Sequence, residues 1–483
     1  MGNRANSEKA IPDIRRWEVE HSHEMMRELT ADVIVTEDFP PMKVRPGDAP
    51  LYRYEKAGLG LVAILIVGFS VLTEIRSCFL NHRFTDFGML ARAGWAVRTD
   101  NDIYQVTDNG GLHYPYPATF SIAMVPFADP PPWGDRTGYL PFPVSVAIWY
   151  LLSLAAVFWT VHILAATALP DAIRGSRRWW YARTIPFYVC CGGIGFSLGR
   201  GQVTLLLVAL IAAAFVSSVR GRKVLGGVWL GTAIIIKLIP AYLLLYPFLR
   251  RDWRFGTGVI AALIGGLLLI PLSVWGMQGT IEKHRYFLDH VVLAGVTGTG
   301  GDRLGKELTR TNATDSQSPQ AAIHNILHLD KERGYRPPHA SKTVRLIHWG
   351  IAVVLTLGAM TVIRRRPTDD PTDQLLLMGT LAALMLVVSP VSHVHYYAFV
   401  LPLVSGVWLK GLSLRPGAAG AGPITYSVLI VWAIATSLSL FPGEPFYTIR
   451  DVGIGITMTI GLIGYGLWLM GRTHTTGETS ARD

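Results

Sequence analysis

Long apolar runs recur along this chain, and a run of about 18 or more apolar residues is stable only across a bilayer or deep inside a helical assembly. Such runs are expected at about 57–79, 144–169, 184–199, 202–219, 256–275, 343–363, 374–390, 394–412, 424–441 and 452–471. In lipid every backbone N–H and C=O must find its partner within the protein, so these runs are helices. Composition agrees, since 50% of the residues are hydrophobic and only 16% are charged, against about 25% charged in soluble domains. The expected fold is an all-α polytopic integral membrane protein with about 10–12 spans. Interfacial helices are expected in its first outer loop.

Charge orients the spans. The net charge of +10 would suggest nucleic acid in a soluble protein. Here no basic stripe is interleaved with aromatics, and the cations sit in short loops such as "RGSRRWWYAR", "RGRK", "RRDWR" and "KGLSLR". Short cationic loops face the cytoplasm, which leaves two long loops outside, about 80–143 and 276–342. Residues 1–56 read as a polar cytoplasmic arm, 57–471 as the membrane domain and 472–483 as a cytoplasmic tail. The first apolar run begins too far into the chain for a cleaved leader. The three cysteines, Cys78, Cys190 and Cys191, have no metal-ligand spacing and imply no disulfide framework.

Residues 224–249 admit two readings. "VLGGVWLGTAIII" runs into Lys237 and Pro240, and cationic loops flank the whole segment. Thirteen helical residues reach only about 20 Å, so a broken hairpin with Lys237 near its tip fits cytoplasmic loops on both sides. One long tilted helix would instead put "RRDWR" outside.

With the hairpin, the unusual polar residues share the outer face. Asp86 lies just after the first span, and His113, Tyr114 and Tyr116 lie in the same loop. "GRGQ" turns between two spans and carries Arg200 and Gln202. Lys237 approaches from below. Gln317 and Ser318 lie in the second outer loop, and "SPVSHVHYY" carries His393, His395 and Tyr396. Each has an ordinary explanation alone: Asp86 as a helix cap, Lys237 as a snorkelling side chain, the histidines and Arg200 as interfacial residues. Together they place one acid among several cations at a membrane edge, where ionisable groups are costly and usually mark a functional path. An acid can deprotonate a hydroxyl, and cations can stabilise a phosphate leaving group. That chemistry suits sugar transfer from a lipid phosphate. "TDNDIY" brackets Asn101 with Asp100 and Asp102, which could hold a divalent ion, but the sequence requires no metal.

The ordered set of motifs resembles glycosyltransferase family 87. The resemblance rests on "FTDFGMLARAGWAV" with "YPYP", on "GRGQVTLLLVAL…IIIKLIPAYLLLYPFLRRDWR", on "NATDSQSPQAAIHNIL" and on "SPVSHVHYYAFVLPL". It covers roughly residues 57–410. It implies a GT-C fold enzyme that inverts the anomeric centre, with a polyprenyl-phosphate sugar (mannose or arabinofuranose) as donor. The acceptor is an envelope glycan or glycolipid, reached on the extracytoplasmic side of the plasma membrane. By that resemblance Asp86 is the general base, and Lys237, Arg200, His395 and His393 hold the donor phosphate. Phe87, Tyr104, His113, Tyr114, Gln202, Gln317, Ser318 and Tyr396 contact substrate. Three elements depart from the family pattern: Ser-Gln-Ser at 316–318, "HVHYY" at 393–397, and alternating rather than consecutive prolines at 115 and 117. A lipid-linked sugar flippase and a non-catalytic envelope assembly partner are the competing classes. A flippase would favour repeated halves and a midplane site, and no repeat is evident.

Overall fold

The computed structural model describes residues 50–75, 86–298, 303–311, 316–365, 370–413, 421–441 and 443–472. Most of the polar arm, the tail and the end of the Gly-rich stretch 295–301 lie outside the described residues. Among those described, the regular elements are all helical. Six helices are long and apolar enough to cross a membrane: Arg53–Leu72, Phe142–Ala168, Trp253–Thr297, Lys342–Arg365, Pro371–Val388 and Ile454–Gly471. Three shorter apolar helices accompany them, Thr204–Val219, Lys223–Ile236 and Gly422–Leu438. This is a multi-pass membrane protein. Helix Pro371–Val388 is the central one, with nearly all of its side chains buried, whereas Arg53–Ile75 and Lys342–Arg365 expose rows of leucine, isoleucine and valine, as lipid-facing helices do.

The segment after "RGRK" is a re-entrant pair. Helix Lys223–Ile236 stops at Lys237, whose backbone is extended (φ −152°, ψ 133°). A 3₁₀ helix, Ile239–Leu244, and a short α-helix, Leu245–Arg250, lead back. Fourteen α-helical residues rise about 21 Å, and six 3₁₀ plus six α residues return about the same distance. The two ends meet, because Lys223 Nζ lies 3.1 Å from Asp252 Oδ2. The hairpin is therefore the arrangement adopted, and the single tilted helix is not. Its ascending arm lies directly against helix Trp253–Ile264. A Cβ on Gly227 would fall 1.9 Å from the Phe255 carbonyl oxygen, and one on Gly258 would fall 2.0 Å from that of Val224. Small residues at this seam let the two backbones touch, which is how membrane helices gain packing without a hydrophobic driving force.

The structure departs from expectation after residue 275. The sequence places a loop from 276, but helix continues to Thr297 beyond a sharp kink at Gly276 (φ 66°, ψ −176°). The charged cluster Glu282–Arg285 lowers the local hydropathy, which hides the helix from an apolar-run search. Its apolar residues still serve a purpose, since Phe287, Val291, Val292 and Val296 roof a cavity. A π-helical turn at Gly265–Leu269 precedes the kink. Thr119 Oγ1 donates to the Gly266 carbonyl at 2.6 Å, and the His284 ring contacts the Leu267 carbonyl, so groups displaced by the wider turn are satisfied. The run expected at 184–199 is likewise two helices, Arg177–Val189 and Cys191–Arg200, with Pro186 inside the first.

Candidate active site

The site forms where four chain turns converge at one end of the bundle. Asp86 is the first residue of helix Asp86–Arg98 and is buried. Its neighbour Phe87 packs against Phe127, Phe142 and Trp149, which fixes the helix start. Helix Cys191–Arg200 ends at Gly201, in the left-handed conformation (φ 63°). Glycine is required there twice over: the conformation disfavours other residues, and a Cβ would lie 2.6 Å from that of Phe87. Trp149 Nε1 donates to the Gly201 carbonyl at 2.8 Å. This turn aims Arg200 and Gln202 at Asp86.

Arg200 Nε lies 3.1 Å from Asp86 Oδ2, and Gln202 Nε2 donates to the same oxygen. Among the described residues no donor reaches Oδ1. The carboxylate is thus anchored on one oxygen. Tyr116 donates its hydroxyl to Gln202 Oε1 at 3.1 Å, and Lys237 Nζ reaches the Tyr116 oxygen at 3.4 Å. The Lys237 ammonium also lies over two aromatic rings, 4.8 Å from the Tyr116 centroid and 4.5 Å from that of Tyr396, a cation–π setting that keeps a desolvated cation tolerable.

The histidines come from the segment between two spans. The 3₁₀ helix Val394–Val400 packs on helix Cys191–Arg200 at a glycine, where a Cβ on Gly193 would lie 2.7 Å from the Ala398 nitrogen. Ser197 Oγ donates to the His395 carbonyl at 3.1 Å. The His395 ring stacks on Phe196, with centroids 6.4 Å apart and planes 4° from parallel. Both of its ring nitrogens are buried with no hydrogen-bond partner among the described residues. Buried polar atoms of this kind are normally satisfied, so the ring is set for something that enters the cavity.

That cavity has a volume of about 630 Å³ and is walled by Asp86, His113, Arg200, Gln202, Lys237, His393, His395 and Tyr396. Apolar side chains complete it, from the kinked helix, the tip of the re-entrant pair, Trp349 and Met385. Eight of the residues expected from the sequence are therefore brought together. Five are not in its wall. Phe87 is in the core behind Asp86. Tyr104 stacks on Tyr286 (4.8 Å) and donates to the Tyr116 carbonyl at 3.2 Å. Tyr114 donates to the Pro117 carbonyl at 2.9 Å. Gln317 donates to the Arg450 carbonyl at 3.0 Å, and Ser318 caps helix Pro319–Ile326 by accepting from the Ala321 N–H. Asp102 accepts the Tyr104 N–H in a turn.

Sequence reasoning missed Tyr242, Glu307 and Arg310, and it noted Tyr116 without giving it a role; all four are in the wall. Glu307 Oε2 lies 3.1 Å from His113 Nδ1 and ties together the segments 80–143 and 276–342. The signal for Tyr116 was present in "YPYP": the prolines forbid helix, and the two tyrosines part company, Tyr114 into the core and Tyr116 toward the cavity.

Comparison with known proteins decides the class. The profile of glycosyltransferase family 87 matches residues 114–390. The chain belongs to that family. It is a membrane glycosyltransferase, and the matched span begins at residue 114, well beyond Asp86, so that residue's part rests on its surroundings. The chain is 27% identical over 459 residues to a polyprenol-phosphate-mannose-dependent alpha-(1-2)-phosphatidylinositol mannoside mannosyltransferase of Mycolicibacterium smegmatis, covering 87% of this chain and 92% of the relative. It is also 27% identical over 248 residues to an alpha-(1->3)-arabinofuranosyltransferase of Mycobacterium tuberculosis, covering 48% of this chain and 51% of that one. Among solved structures, ArnT from Cupriavidus metallidurans bound to undecaprenyl phosphate overlaps 84% of this chain and 77% of its own, with a TM-score of 0.36 and 13% identity.

Proposed function

We propose that this family 87 glycosyltransferase moves mannose or arabinofuranose from a polyprenyl-phosphate donor to an envelope glycan or glycolipid, with inversion at the anomeric carbon. The observation that carries the reading is one cavity holding an anchored carboxylate, a desolvated lysine and a histidine with both ring nitrogens unpartnered. Asp86 Oδ1 takes the proton of an acceptor hydroxyl as that oxygen attacks C1 of the donor sugar. The C1–O bond to phosphate breaks on the opposite face, and the electron pair leaves with the polyprenyl phosphate. One base and a direct displacement give inversion, as in inverting glycoside chemistry. Lys237 and His395 receive the phosphate, and its developing charge is stabilised in a water-poor pocket where such contacts are strongest. Arg200 pairs with Asp86, and its guanidinium lies 5.4 Å from the centroid of Phe196, the ring on which His395 stacks. The apolar wall accommodates the first prenyl units. The site opens on the extracytoplasmic side, following the cationic short loops. The sugars in the relatives' names support mannose or arabinofuranose as the transferred group.

The test is transfer in proteoliposomes from radiolabelled polyprenyl-phosphate mannose and polyprenyl-phosphate arabinofuranose to a phosphatidylinositol mannoside acceptor. The anomeric configuration of the product is read by NMR. Transfer of one sugar with inversion is expected. Retention at C1, or no transfer from either donor, contradicts the proposal.

A further inference from the structure

Four side chains from separate parts of the chain form a continuous line across the cavity wall. Lys237 donates to the Tyr116 oxygen, Tyr116 donates to Gln202 Oε1, and Gln202 donates through Nε2 to Asp86 Oδ2. Each link has only one possible direction. Lysine is a donor only and an ionised carboxylate an acceptor only. The tyrosine must accept from one side and donate to the other, and the amide must be oriented with its oxygen toward Tyr116. Tyr116 and Gln202 are both buried, so neither can replace its partner with bulk water. Tyr116 is itself held from behind, because the Tyr104 hydroxyl is on its carbonyl and its ring lies 5.6 Å from Tyr114.

We infer that Tyr116 and Gln202 are positioning residues that couple the phosphate end of the site to the base and hold Asp86 turned with Oδ1 toward the acceptor. This rests on the function proposed above. A line of hydrogen bonds with fixed polarity strengthens each member and penalises any change of protonation at either end. Protonating Asp86 on Oδ1 would occupy the oxygen that faces the acceptor and would weaken the Gln202 contact on Oδ2 by removing the negative charge it meets. The other groups facing Asp86 are Arg200, at 3.1 Å on the same oxygen, and Asp108, whose carboxyl is influenced by the Asp86 charge. Around the rest of the cavity stand His113, Glu307, Arg310, His393 and His395. None of these joins the line.

The experiment is a pH–rate profile of transfer from the polyprenyl-phosphate donor that the wild type uses, for the wild type, Gln202→Glu and Tyr116→Phe. Gln202→Glu replaces the N–H donor with a second carboxylate against Asp86. The two carboxylates then share a proton, and the acid limb moves up by about a pH unit or more. Activity recovers toward the alkaline side. Tyr116→Phe cuts the line while keeping the ring under Lys237. It lowers kcat by roughly ten- to hundred-fold, moves the acid limb up by a smaller amount, and leaves the donor KM close to wild type. A role in packing alone would depress the rate equally at every pH and lower Tm. Acid limbs that coincide with wild type in both variants overturn the inference, as does a donor KM that rises in step with the loss of rate. Should the wild type itself transfer no sugar from any polyprenyl-phosphate donor, the proposed function fails and this inference with it. A wild type that transfers beside unshifted variants fails the inference alone.

Discussion

Two ion pairs stand at opposite ends of this bundle, and they are built alike. Asp86 opens one helix and Arg200 closes another. Asp373 lies in the first turn of Pro371–Val388 and Lys410 in the last turn of Leu401–Ser413. Each acid is at a helix N-terminus and each cation at a C-terminus, where the helix dipoles favour them. Their surroundings differ. Asp373 Oδ1 and Lys410 Nζ meet at 2.6 Å between two antiparallel helices pressed together at Gly379 and Gly406, away from the cavity. The Asp86 carboxylate is in the cavity wall and takes a second donor from Gln202. An ion pair sealed between helices serves the fold. The same pair opened to a cavity, with one carboxylate oxygen left over, is equipped for chemistry.

The comparison can be broken at either end. At the cavity end, Lys237→Met should lower kcat/KM for transfer by about a hundredfold or more, since it removes a preorganised cation from the leaving group. Tm should change little, because methionine keeps an apolar stem between the Tyr116 and Tyr396 rings; a large drop in Tm with transfer retained would make Lys237 a structural residue. At the sealed end, Asp373→Asn should destabilise the protein by about 1–3 kcal/mol by removing the buried carboxylate that meets Lys410. Transfer per folded molecule should stay unchanged. Replacing both partners by leucine should restore most of the stability, and thermal unfolding in detergent beside the transfer assay reads both quantities.

Gly201→Ala should cost about 1–3 kcal/mol, the penalty of a left-handed conformation in a non-glycine residue, together with the clash on Phe87. Transfer should fall with it, since this turn carries both Arg200 and Gln202 to the base. The smallest effect concerns Asp108 in the first outer loop. Burial pushes its carboxyl above the ordinary range, partly offset by the Leu112 and Gly110 N–H groups and by Arg92. The folded protein therefore holds this proton to a higher pH than the unfolded chain, and stability declines as pH rises from the ordinary aspartate value through the raised one. Asp108→Asn keeps an oxygen for the two N–H groups and should remove that decline, a change of about 1 kcal/mol or less, seen as a flatter dependence of Tm on pH.

Much of this was legible from the residues. The apolar runs gave the passes because lipid leaves helices as the solution. Lys237 followed closely by Pro240, between two cationic loops, marked the break and made the hairpin one of two readings, which the structure then resolves. The convergence of Asp86, Arg200, Gln202, Lys237 and the 393–396 segment followed from putting the short cationic loops on one side. The helix beyond Gly276 was not legible, because its charged face dilutes the apolar one and the kink hides its start. Nor could the sequence sort the tyrosines: Tyr104, Tyr114 and Tyr116 are alike in type, and only the packing of Tyr286 and Pro117 around them decides which ring meets the cavity. Gln317 was chosen for its place in an element that resembles Asn-Gln-Ser. Its amide is fixed by the carbonyl of Arg450, more than a hundred residues away along the chain, and short-range patterns carry no trace of that contact.

The central claim is that Asp86 is the base for sugar transfer from a polyprenyl phosphate, and Asp86→Asn tests it most directly. The variant keeps the shape and an oxygen for Arg200 and Gln202 but has no carboxylate to take a proton. Purified wild type and variant are compared in single-turnover transfer from the labelled donor, with Tm and donor binding measured on the same samples. The account predicts wild-type folding and donor binding with transfer lowered by about 10²- to 10⁴-fold, the usual worth of a general base. Equal transfer by the two proteins would contradict it, and would leave Asp86 as the partner that holds Arg200 in place.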